Sequence, residues 1–325
     1  MMKIAILGST GHVGKNLTYY FGNEYTHELF LFSRNEKKLE KTVSQLGLKK
    51  NFSVRTYDEF NNSKYDVVIN CVGISDPAKI KSSQGTILET TEKFDTMTLD
   101  YLERFPESKL INFSSGIVYG GNFSSPITKT ILIDKNFDGG KKNGRGEYAL
   151  SKINSEIKHR KLKHLNIIDL RLFSFFSRFM NLKSKFFMSD VVRTIIEDTS
   201  GTPSLYFDYA DMYRDYIHPK DLFSFIKKCF KKKSINDVFD LYSNKPIRKD
   251  ELIDFLSKKY HVLAYSPGTN MPAFAGPTGF KKYYFSLSKK AEVLGYKPKY
   301  SSLDTISEEL PYFLKNEWKI KNLVN

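Results

Sequence analysis

The chain has 325 residues, of which 40% are hydrophobic and 27% are charged, and it contains two cysteines, Cys71 and Cys229. This length and composition exclude a disordered chain and predict one large α/β domain, or a domain with a smaller lobe. The cysteines are too few for a disulfide framework, no apolar run approaches the ~20 residues of a bilayer span, and the N-terminus begins with a strand-like run. These features predict a cytoplasmic protein without membrane association.

The formal net charge is +15 and the isoelectric point is near 9.4. A balance this basic suits a polyanionic partner. The lysine clusters are nevertheless scattered along the chain, and they lack the interleaved aromatic residues that a nucleic-acid site requires. The sequence therefore favours lysines at exposed positions over a nucleic-acid interface, although a basic surface would still attract a doubly charged small ligand.

Short apolar runs alternate with longer amphipathic ones through the first half of the chain. In chain order, the predicted elements are KIAILG (3–8), a helix at about 12–22, HELFLFS (27–33), a helix to about 46, FSVRTY (52–57), YDVVINCVG (65–73), a long helix, SKLINFSS (108–115), a helix that carries EYALSK (147–152), and NIIDLRLF (166–173). Strands rich in Val, Ile, Leu and Phe that alternate with helices predict a parallel sheet buried on both faces. The alternation ends past residue 175, and the Pro- and Gly-rich segment SPGTNMPAFAGPTGF (266–280) is a predicted loop.

The first predicted strand runs into the stretch GSTGHVG, whose glycines are three residues apart, and a helix-like segment follows. Glycine suits this turn because a bare backbone lets a pyrophosphate approach the free N–H groups and the positive end of the helix dipole. The position of the motif within a βαβ unit of about 30 residues predicts dinucleotide binding. The residues predicted to contact the cofactor here are Gly8, Thr10, Gly11, His12, Val13 and Gly14.

The end of the second strand indicates which dinucleotide is bound. An NAD site usually places an acidic residue there for the ribose 2′-hydroxyl, whereas this strand ends at Ser33 and Arg34. A guanidinium suits the 2′-phosphate of NADP, which a carboxylate would repel. The sequence therefore favours NADP(H), with NAD(H) as the alternative. Cys71, Val72 and Gly73, at the end of the fourth strand, are also predicted to lie beside the cofactor.

Five motifs follow one another at spacings that resemble one family. They are GSTGHVG, SSGIVYG (114–120) after the fifth strand, Tyr148-x-x-x-Lys152, RDYIHPKDL (214–222) and FSLSKKAEVLGYKPK (285–299). In this order they resemble the extended short-chain dehydrogenase/reductase family of nucleotide-sugar-modifying enzymes. The fold class expected from the pattern and the resemblance together is α/β, a Rossmann-type doubly wound parallel sheet with a smaller C-terminal substrate lobe.

The resemblance implies that Ser115, Tyr148 and Lys152 are catalytic. Tyr148 would exchange a proton with a sugar oxygen, Ser115 would hydrogen-bond the same oxygen, and Lys152 would lower the pKa of Tyr148 and hold the nicotinamide ribose. The implied substrate is a nucleoside-diphosphate sugar, contacted by Ser115, Tyr148, Ser174 and Arg214. For Arg214, an ion pair with Asp215 remains open as the structural alternative.

A division into two domains follows from the same resemblance. Residues 1–175 plus about 214–245 are predicted to form the NADP-binding Rossmann domain. Residues at about 176–213 plus 246–325 are predicted to form the lobe that binds the nucleotide sugar.

The residues after the active Ser or Thr separate reaction types in this family. The 4,6-dehydratases carry an Asp-Glu pair there, to eliminate water across C5 and C6, and enzymes of the GDP-fucose-synthase type carry a cysteine at the second position. This chain has Gly116-Ile117 instead. The remaining reactions are an NADPH-dependent reduction of a nucleoside-diphosphate 4-keto-6-deoxy-sugar, which the end of the second strand favours, and a nucleotide-sugar 4-epimerisation with retained NAD.

A hypothesis from another class is a non-catalytic NADP- or nucleic-acid-binding protein. The joint presence of Ser115, Tyr148 and Lys152 opposes it, since a protein without activity need not keep all three. The histidines show no metal-ligand spacing, so no metal site is predicted. The resemblance also implies a homodimer, formed through a bundle of two helices from each subunit.

Overall fold

The structure is a computed structural model that describes residues 1–24, 26–48, 52–76, 79–80, 86–120, 123–133, 146–206, 211–265 and 281–315. The predicted loop at 266–280 lies outside the described residues. The strands are β1 (Met2–Leu7), β2 (His27–Phe32), β3 (Phe52–Arg55), β4 (Val67–Asn70), β5 (Lys109–Ser115), β6 (Asn166–Leu172), β7 (Ser174–Phe175), β8 (Ser204–Tyr206), β9 (Tyr213–Arg214), β10 (Tyr216–Ile217), β11 (Asn236–Asp240), β12 (Ile247–Arg248), β13 (Leu263–Tyr265) and β14 (Tyr283–Tyr284). The α-helices are α1 (His12–Glu24), α2 (Glu36–Gln45), α3 (Thr86–Arg104), α4 (Glu147–Lys161), α5 (Phe187–Glu197), α6 (Pro219–Phe230), α7 (Lys249–Tyr260), α8 (Ser302–Glu309) and α9 (Pro311–Lys315).

A seven-stranded sheet forms the centre of the molecule, in the order β3-β2-β1-β4-β5-β6-β11. Every neighbouring pair in it is parallel. Its central strands β4 and β5 are buried along their length and β1 is buried from Ile4 onward, as expected for strands covered by helices on both faces. The prediction of a Rossmann-type doubly wound sheet is therefore confirmed.

The sheet order places the ends of β1, β4 and β5 side by side. The strand order reverses beside β1, so the crevice between the loops after β1 and β4 is the place where open α/β sheets bind ligands. Helix α4 packs against α3 and against β5. It therefore begins at the same edge of the sheet.

Segments after residue 175 build a second hydrophobic cluster. Three small sheets, β7 with β10, β12-β9-β14, and β8 with β13, accompany helices α5, α7, α8 and α9 there. Buried members of this cluster include Phe176, Met188, Val192, Leu256 and Phe313. The assignment of residues to two domains remains a prediction.

Within the described ranges, no helix is both long enough and apolar enough to cross a bilayer.

Candidate active site

The glycine turn between β1 and α1 is closed by its own backbone. Gly8 has a φ of +77°, which favours glycine, and the Gly11 N–H donates to the Gly8 carbonyl at 2.8 Å. A Cβ on Gly14 would lie 2.2 Å from the same carbonyl oxygen. Side chains are therefore excluded on the inner side of the turn, and α1 begins at His12, where the first N–H groups have no intrahelical acceptor. This arrangement fits a dinucleotide pyrophosphate.

The loop after β4 lies against this turn. A Cβ on Gly8 would come within 3.1 Å of the Cys71 carbonyl carbon and oxygen, and within 3.2 Å of a Val72 methyl. The Val72 N–H donates to the Asn70 side-chain oxygen at 3.1 Å. A Cβ on Gly73 would meet the Lys152 ammonium at 3.5 Å, so the loop also reaches α4. The structure thus brings the predicted cofactor residues of β1 and β4 together with Lys152.

The end of β2 joins the same crevice. The N–H groups of Gly8 and Ser9 both donate to the Phe32 carbonyl at 3.1 Å. The Ser33 hydroxyl is buried and bonded to the backbone of Asn35, so it fixes the start of α2, whereas Arg34 is exposed. Ser33 therefore shapes the loop, and Arg34 is the side chain free to reach a ligand.

Two lysines on the helices that flank β2 were missed by sequence reasoning. Burial lowers the pKa of Lys15, on α1, and the nearby ammonium of Lys38, on α2, lowers it further. Within the described part of the chain, no ion pair involves Lys15, Arg34 or Lys38. This end of the crevice therefore carries uncompensated positive charge.

Ser115, the last residue of β5, lies beside Tyr148 in the first turn of α4. The serine hydroxyl accepts from the Ile117 N–H at 3.3 Å, which starts a short 3₁₀ helix at Gly116–Tyr119. A hydrogen bond between the Ser115 and Tyr148 side chains lowers the pKa of Tyr148, but burial outweighs it and the pKa is raised. The end of β5 and the start of α4 thus bring the Ser115 hydroxyl and the Tyr148 phenol together.

The expectation that Lys152 makes Tyr148 acidic is wrong for the chain by itself. Lys152 is buried, and its ammonium donates to the Phe113 carbonyl at 2.8 Å. Burial lowers the pKa of Lys152, and burial is also the largest influence on Tyr148, whose pKa it raises. Tyr148 is therefore a protonated phenol in this state, which suits a proton donor.

Tyr284, on β14, completes this cluster and was missed from the sequence. Its hydroxyl lies 3.3 Å from the Ser115 hydroxyl. Its ring packs edge-on against Phe173 and Phe123, with centroid distances of 5.3 and 4.9 Å. Burial raises the pKa of Tyr284, so it too is protonated. Aromatic rings therefore pack around Tyr284 next to Ser115.

Phe173 also fills the space beside Gly116. A Cβ on Gly116 would lie 2.3 Å from the Phe173 ring. Any larger residue at position 116 would therefore require this buried ring to move.

Arg214 approaches the cluster from β9. Its guanidinium donates to the carbonyls of Tyr213 and Lys281, at 2.7 and 2.8 Å, and lies 5.9 Å from the Tyr284 ring centre. Asp215 instead accepts from the Ser243 N–H and the Ser302 hydroxyl, so an ion pair with Arg214 is not observed among the described contacts. Burial and the neighbouring Arg214 lower the pKa of Lys281 to about 8. Two cations, one of them missed from the sequence, therefore lie close together.

Two predicted site residues, His12 and Ser174, also have structural contacts of their own. The His12 ring is hydrogen-bonded to the Ser177 hydroxyl at 2.8 Å and burial lowers its pKa to about 3, so only its backbone faces the turn. Ser174 follows Phe173 and pairs through β7 with β10. A role for Ser174 in substrate binding remains a prediction.

A buried ion cluster supports the end of β5. Arg171 pairs with Glu156 on α4 and lies 3.5 Å from Asp240 on β11, while the Tyr119 hydroxyl donates to Asp240 at 2.6 Å. The Ser114 hydroxyl donates to Glu156 at 2.5 Å. The cluster fixes β5, α4 and β11 relative to one another. Because its residues are far apart in sequence, no local motif predicts it.

Within the described residues, no group of three or more His, Cys, Asp or Glu side chains is arranged to hold a metal ion.

The fold and the site together define a pyridine-nucleotide-dependent enzyme of the Rossmann type. Residues 4–241 match the model of the NAD dependent epimerase/dehydratase family. The chain belongs to this family, whose members are oxidoreductase-type enzymes of the extended short-chain dehydrogenase/reductase class. The resemblance found in the motifs is confirmed.

Similar proteins span nearly the whole chain. An uncharacterized protein of Methanocaldococcus jannaschii is 23% identical over 337 aligned positions, which cover 98% of each chain. Among solved structures, dTDP-glucose 4,6-dehydratase from Bacillus anthracis, in complex with NAD, is 17% identical, has a TM-score of 0.75 and covers 99% of this chain and 100% of its own. UDP-glucuronic acid 4-epimerase from Bacillus cereus, in complex with UDP-glucuronic acid and NAD, is 18% identical, has a TM-score of 0.74 and covers 97% of this chain and 99% of its own. At these identities the solved structures establish the fold.

Proposed function

We propose that this enzyme is an NADPH-dependent reductase of a nucleoside-diphosphate 4-keto-6-deoxy-sugar. The observation that carries the proposal is the cluster of Ser115, Tyr148 and Lys152, beside which positions 116 and 117 hold Gly and Ile and the Phe173 ring occupies the space next to Gly116. Such a site supports hydride and proton transfer at one carbon and no elimination.

The packing of Gly116 argues against a dehydratase. A 4,6-dehydratase of this family carries Asp and Glu where Gly116 and Ile117 stand here. An aspartate at position 116 would collide with the buried Phe173 ring, since even its Cβ would lie 2.3 Å away. The similar dehydratase structure therefore shares the fold of this chain, while the acid and base of elimination are missing here.

The proton chemistry follows from the Tyr148 phenol, the Ser115 hydroxyl and the Lys152 ammonium. When bound, the nicotinamide supplies the hydride that reduces the sugar carbonyl. Tyr148, protonated in the free chain, donates its proton to the oxygen of that carbonyl, and Ser115 donates a hydrogen bond to the same oxygen. Lys152, held by the Phe113 carbonyl beside Gly73, stabilises the phenolate that remains on Tyr148.

The positive end of the crevice supports NADPH over NADH. Arg34, Lys15 and Lys38 come from the end of β2 and from the two helices beside it. A 2′-phosphate would relieve the repulsion between these cations, whereas a 2′-hydroxyl would not. At the other end, Arg214 and Lys281 would bind the substrate diphosphate.

A 4-epimerase with retained NAD is the second candidate. The specific observation in its favour is that the similar UDP-glucuronic acid 4-epimerase holds NAD and that this chemistry, too, needs no acid or base besides the phenol. The two candidates differ in whether the cofactor is consumed.

Cofactor content and turnover separate the two candidates. Native mass spectrometry of the untreated protein measures any bound dinucleotide and the number of subunits, which tests the predicted homodimer. NADPH oxidation is then followed with a panel of 4-keto-6-deoxy-sugars linked to dTDP, UDP, GDP or CDP. We expect NADPH consumption, and retained NAD without consumption on any sugar would overturn the proposal.

Arg34→Leu tests the cofactor preference. We expect the Kd for NADPH, measured by quenching of nicotinamide fluorescence, to rise by about tenfold while that for NADH stays unchanged. The matched control is Lys41→Leu, which removes one positive charge from an exposed position of α2. Equal weakening of both dinucleotides by Arg34→Leu would refute the preference.

A further inference from the structure

A second group of buried charges lies behind the active site, and the proposed reaction does not use it. Its members, here called the His159 cluster, come from α3, α4 and β6 and are Asp95, Ser155, His159, Arg160 and Asp169. His159 and Asp169 are fully buried, and Asp95 is 2% exposed. Burying several charged groups is unfavourable unless they are paired, so their arrangement requires an explanation.

The cluster is organised around the imidazole of His159. Its Nδ1 lies 3.0 Å from both carboxylate oxygens of Asp169, and its Nε2 lies 3.7 Å from Asp95. Arg160 donates to Asp169 at 2.6 Å, and the Ser155 hydroxyl donates to Asp95 at 3.0 Å. Burial opposes protonation of His159, but the two carboxylates outweigh it and raise its pKa.

Hydrogen bonds extend from the cluster to the cofactor side of the sheet. Asp169 accepts from the Asn112 amide at 2.7 Å, and Asn112 accepts from Asn70 at 3.1 Å. Asn70 in turn accepts from the Val72 N–H. Asn112 directly precedes Phe113, whose carbonyl holds Lys152. The chain of bonds therefore joins the loop after β4, the strand that anchors Lys152, and the helix that carries it.

We propose that the His159 cluster is a positioning device that keeps Lys152 in its charged form and fixes α4 against the sheet. Ser155 and His159 follow Lys152 by three and seven residues, so all three lie on one face of α4. The inference rests on the proposed role of Lys152 in catalysis.

The signs of the surrounding charges support this assignment. Burial lowers the pKa of Lys152, whereas Asp95, Asp169 and Glu156 raise it, in that order of effect, and Cys71 adds a smaller upward effect. Glu156 is already paired with Arg171. Asp95 is the strongest of the four, and its nearest bonded group is the neutral Ser155. Loss of the Asp95 charge should therefore release the proton of Lys152 at a lower pH.

Asp95→Asn is the decisive variant because it preserves shape and can still accept the bond from Ser155. We expect the pH at which Lys152 loses its proton to fall by about one unit, since one carboxylate within a buried site contributes on that scale. The titration is measured without turnover, by brief acetylation at a series of pH values and mass spectrometry of the peptide that carries Lys152. Asp100→Asn, at an exposed position of the same helix, is the matched control and should leave the titration unchanged.

In a plot of kcat against pH, Asp95→Asn should also shift the alkaline limb to lower pH by the same amount. An unchanged acetylation profile in Asp95→Asn would overturn the proposed device. If Asp95→Asn shifts the acetylation profile but the wild type shows no reductase activity, the proposed role of the His159 cluster stands and the proposed function is refuted.

His159→Gln provides a second measurement. Because the folded state raises the pKa of His159, the contribution of this residue to stability is present below its unfolded pKa of about 6.5 and is lost as the pH rises through its folded pKa. We expect the melting temperature of the wild type to exceed that of His159→Gln most at acidic pH, with the difference shrinking on the alkaline side. A difference that is independent of pH would show that His159 is buried in its neutral form and would contradict the network.

Discussion

The two sides of the active-site crevice are built in different ways. The cofactor side is made mostly of backbone, from one continuous stretch at 8–14 and the ends of β2 and β4. The proposed substrate side is made of side chains that lie far apart in sequence, namely Ser115, Tyr148, Arg214, Lys281 and Tyr284. A contiguous backbone site leaves a local sequence pattern, whereas a site of converging side chains leaves almost none.

The difference between a backbone site and a side-chain site also determines how each side can change by mutation. The inner surface of the glycine turn faces a carbonyl oxygen of its own backbone, which cannot move without opening the turn. On the proposed substrate side, Ser115 is next to aromatic side chains such as Tyr284 and Phe173, which a mutation can replace. Variation in substrate should therefore arise on the side-chain half, while the cofactor half stays fixed.

The largest expected effect is on turnover, from the substrate side. Tyr148→Phe should lower kcat by about 10² to 10⁴, because it removes the proton donor, while the Kd for NADPH changes less than threefold. Stopped-flow NADPH oxidation measures the first quantity and fluorescence quenching the second. Tyr283→Phe, which alters a tyrosine next to Tyr284 in the chain, should leave both unchanged. Equal turnover in the two variants would remove Tyr148 from the reaction.

Two glycines test the contrast between backbone and side-chain walls. Gly14→Ala places a methyl group 2.2 Å from the Gly8 carbonyl oxygen, and Gly116→Ala places one 2.3 Å from the Phe173 ring. We expect Gly116→Ala to lower the free energy of unfolding by about 1–3 kcal/mol, and Gly14→Ala to lower it further and weaken cofactor binding. Urea denaturation measures the first effect.

Only the substrate-side defect should be repairable by a neighbouring side chain. Adding Phe173→Leu to Gly116→Ala should restore at least half of the lost stability, since the smaller group makes room. Gly146→Ala is the control, because no atom of the described residues lies within 4 Å of its Cβ position. If Phe173→Leu brings no recovery, the clash is not with that ring.

Asp215 provides a prediction of pH dependence on the substrate side. Burial raises its pKa to about 6, above the unfolded value of about 3.9. Its protonated form is therefore favoured by folding, and the stability it contributes is fully present below pH ~4 and is lost as the pH rises to ~6, by up to ~3 kcal/mol. The difference in unfolding free energy between the wild type and Asp215→Asn should change by about 2 kcal/mol between pH 4 and 6. Asp254→Asn, at an exposed position, should show no such trend.

The smallest expected effect concerns ligand selectivity. Arg214→Gln should raise the KM for the sugar nucleotide by about tenfold, the loss of ~1.4 kcal/mol of charge-assisted binding, and leave the KM for NADPH unchanged. Initial-rate kinetics with each substrate varied in turn measures both values. A matching rise in the KM for NADPH would mean that the two sides of the crevice are not separate.

Much of the fold was predictable because its strands and its glycine turn follow from local sequence patterns. The buried strands β1, β2 and β5 follow runs of apolar residues, and the glycine turn follows from three glycines placed between a predicted strand and a predicted helix. The meeting of Ser115 with Tyr148 was accessible only through the family resemblance. Tyr284 and Lys281 were not accessible at all, because nothing in YYFS or FKK marks a residue that chain folding will bring beside Ser115.

The pKa of Tyr148 shows why the rest of the candidate site could not be predicted from the sequence. A lysine one helical turn away suggested an acidic phenol, but the Lys152 side chain turns toward the Phe113 carbonyl, and burial dominates both groups. The His159 cluster was missed for a related reason. Asp169 and Asn112 occupy positions within strands that the apolar pattern treats as core, and their partners are supplied by other elements.

The hydrogen bonds at Ser177 carry a consequence for how the two ligands bind. His12 and Asn16, on the first turns of α1, both hold the Ser177 hydroxyl at 2.8 Å, in the segment that leads toward the second hydrophobic cluster. If filling the pyrophosphate turn tightens those two contacts, it tightens the sugar-side segment as well. By thermodynamic reciprocity, the sugar nucleotide would then increase the affinity for the dinucleotide by the same factor, and the coupling between the two ligands would pass through one serine.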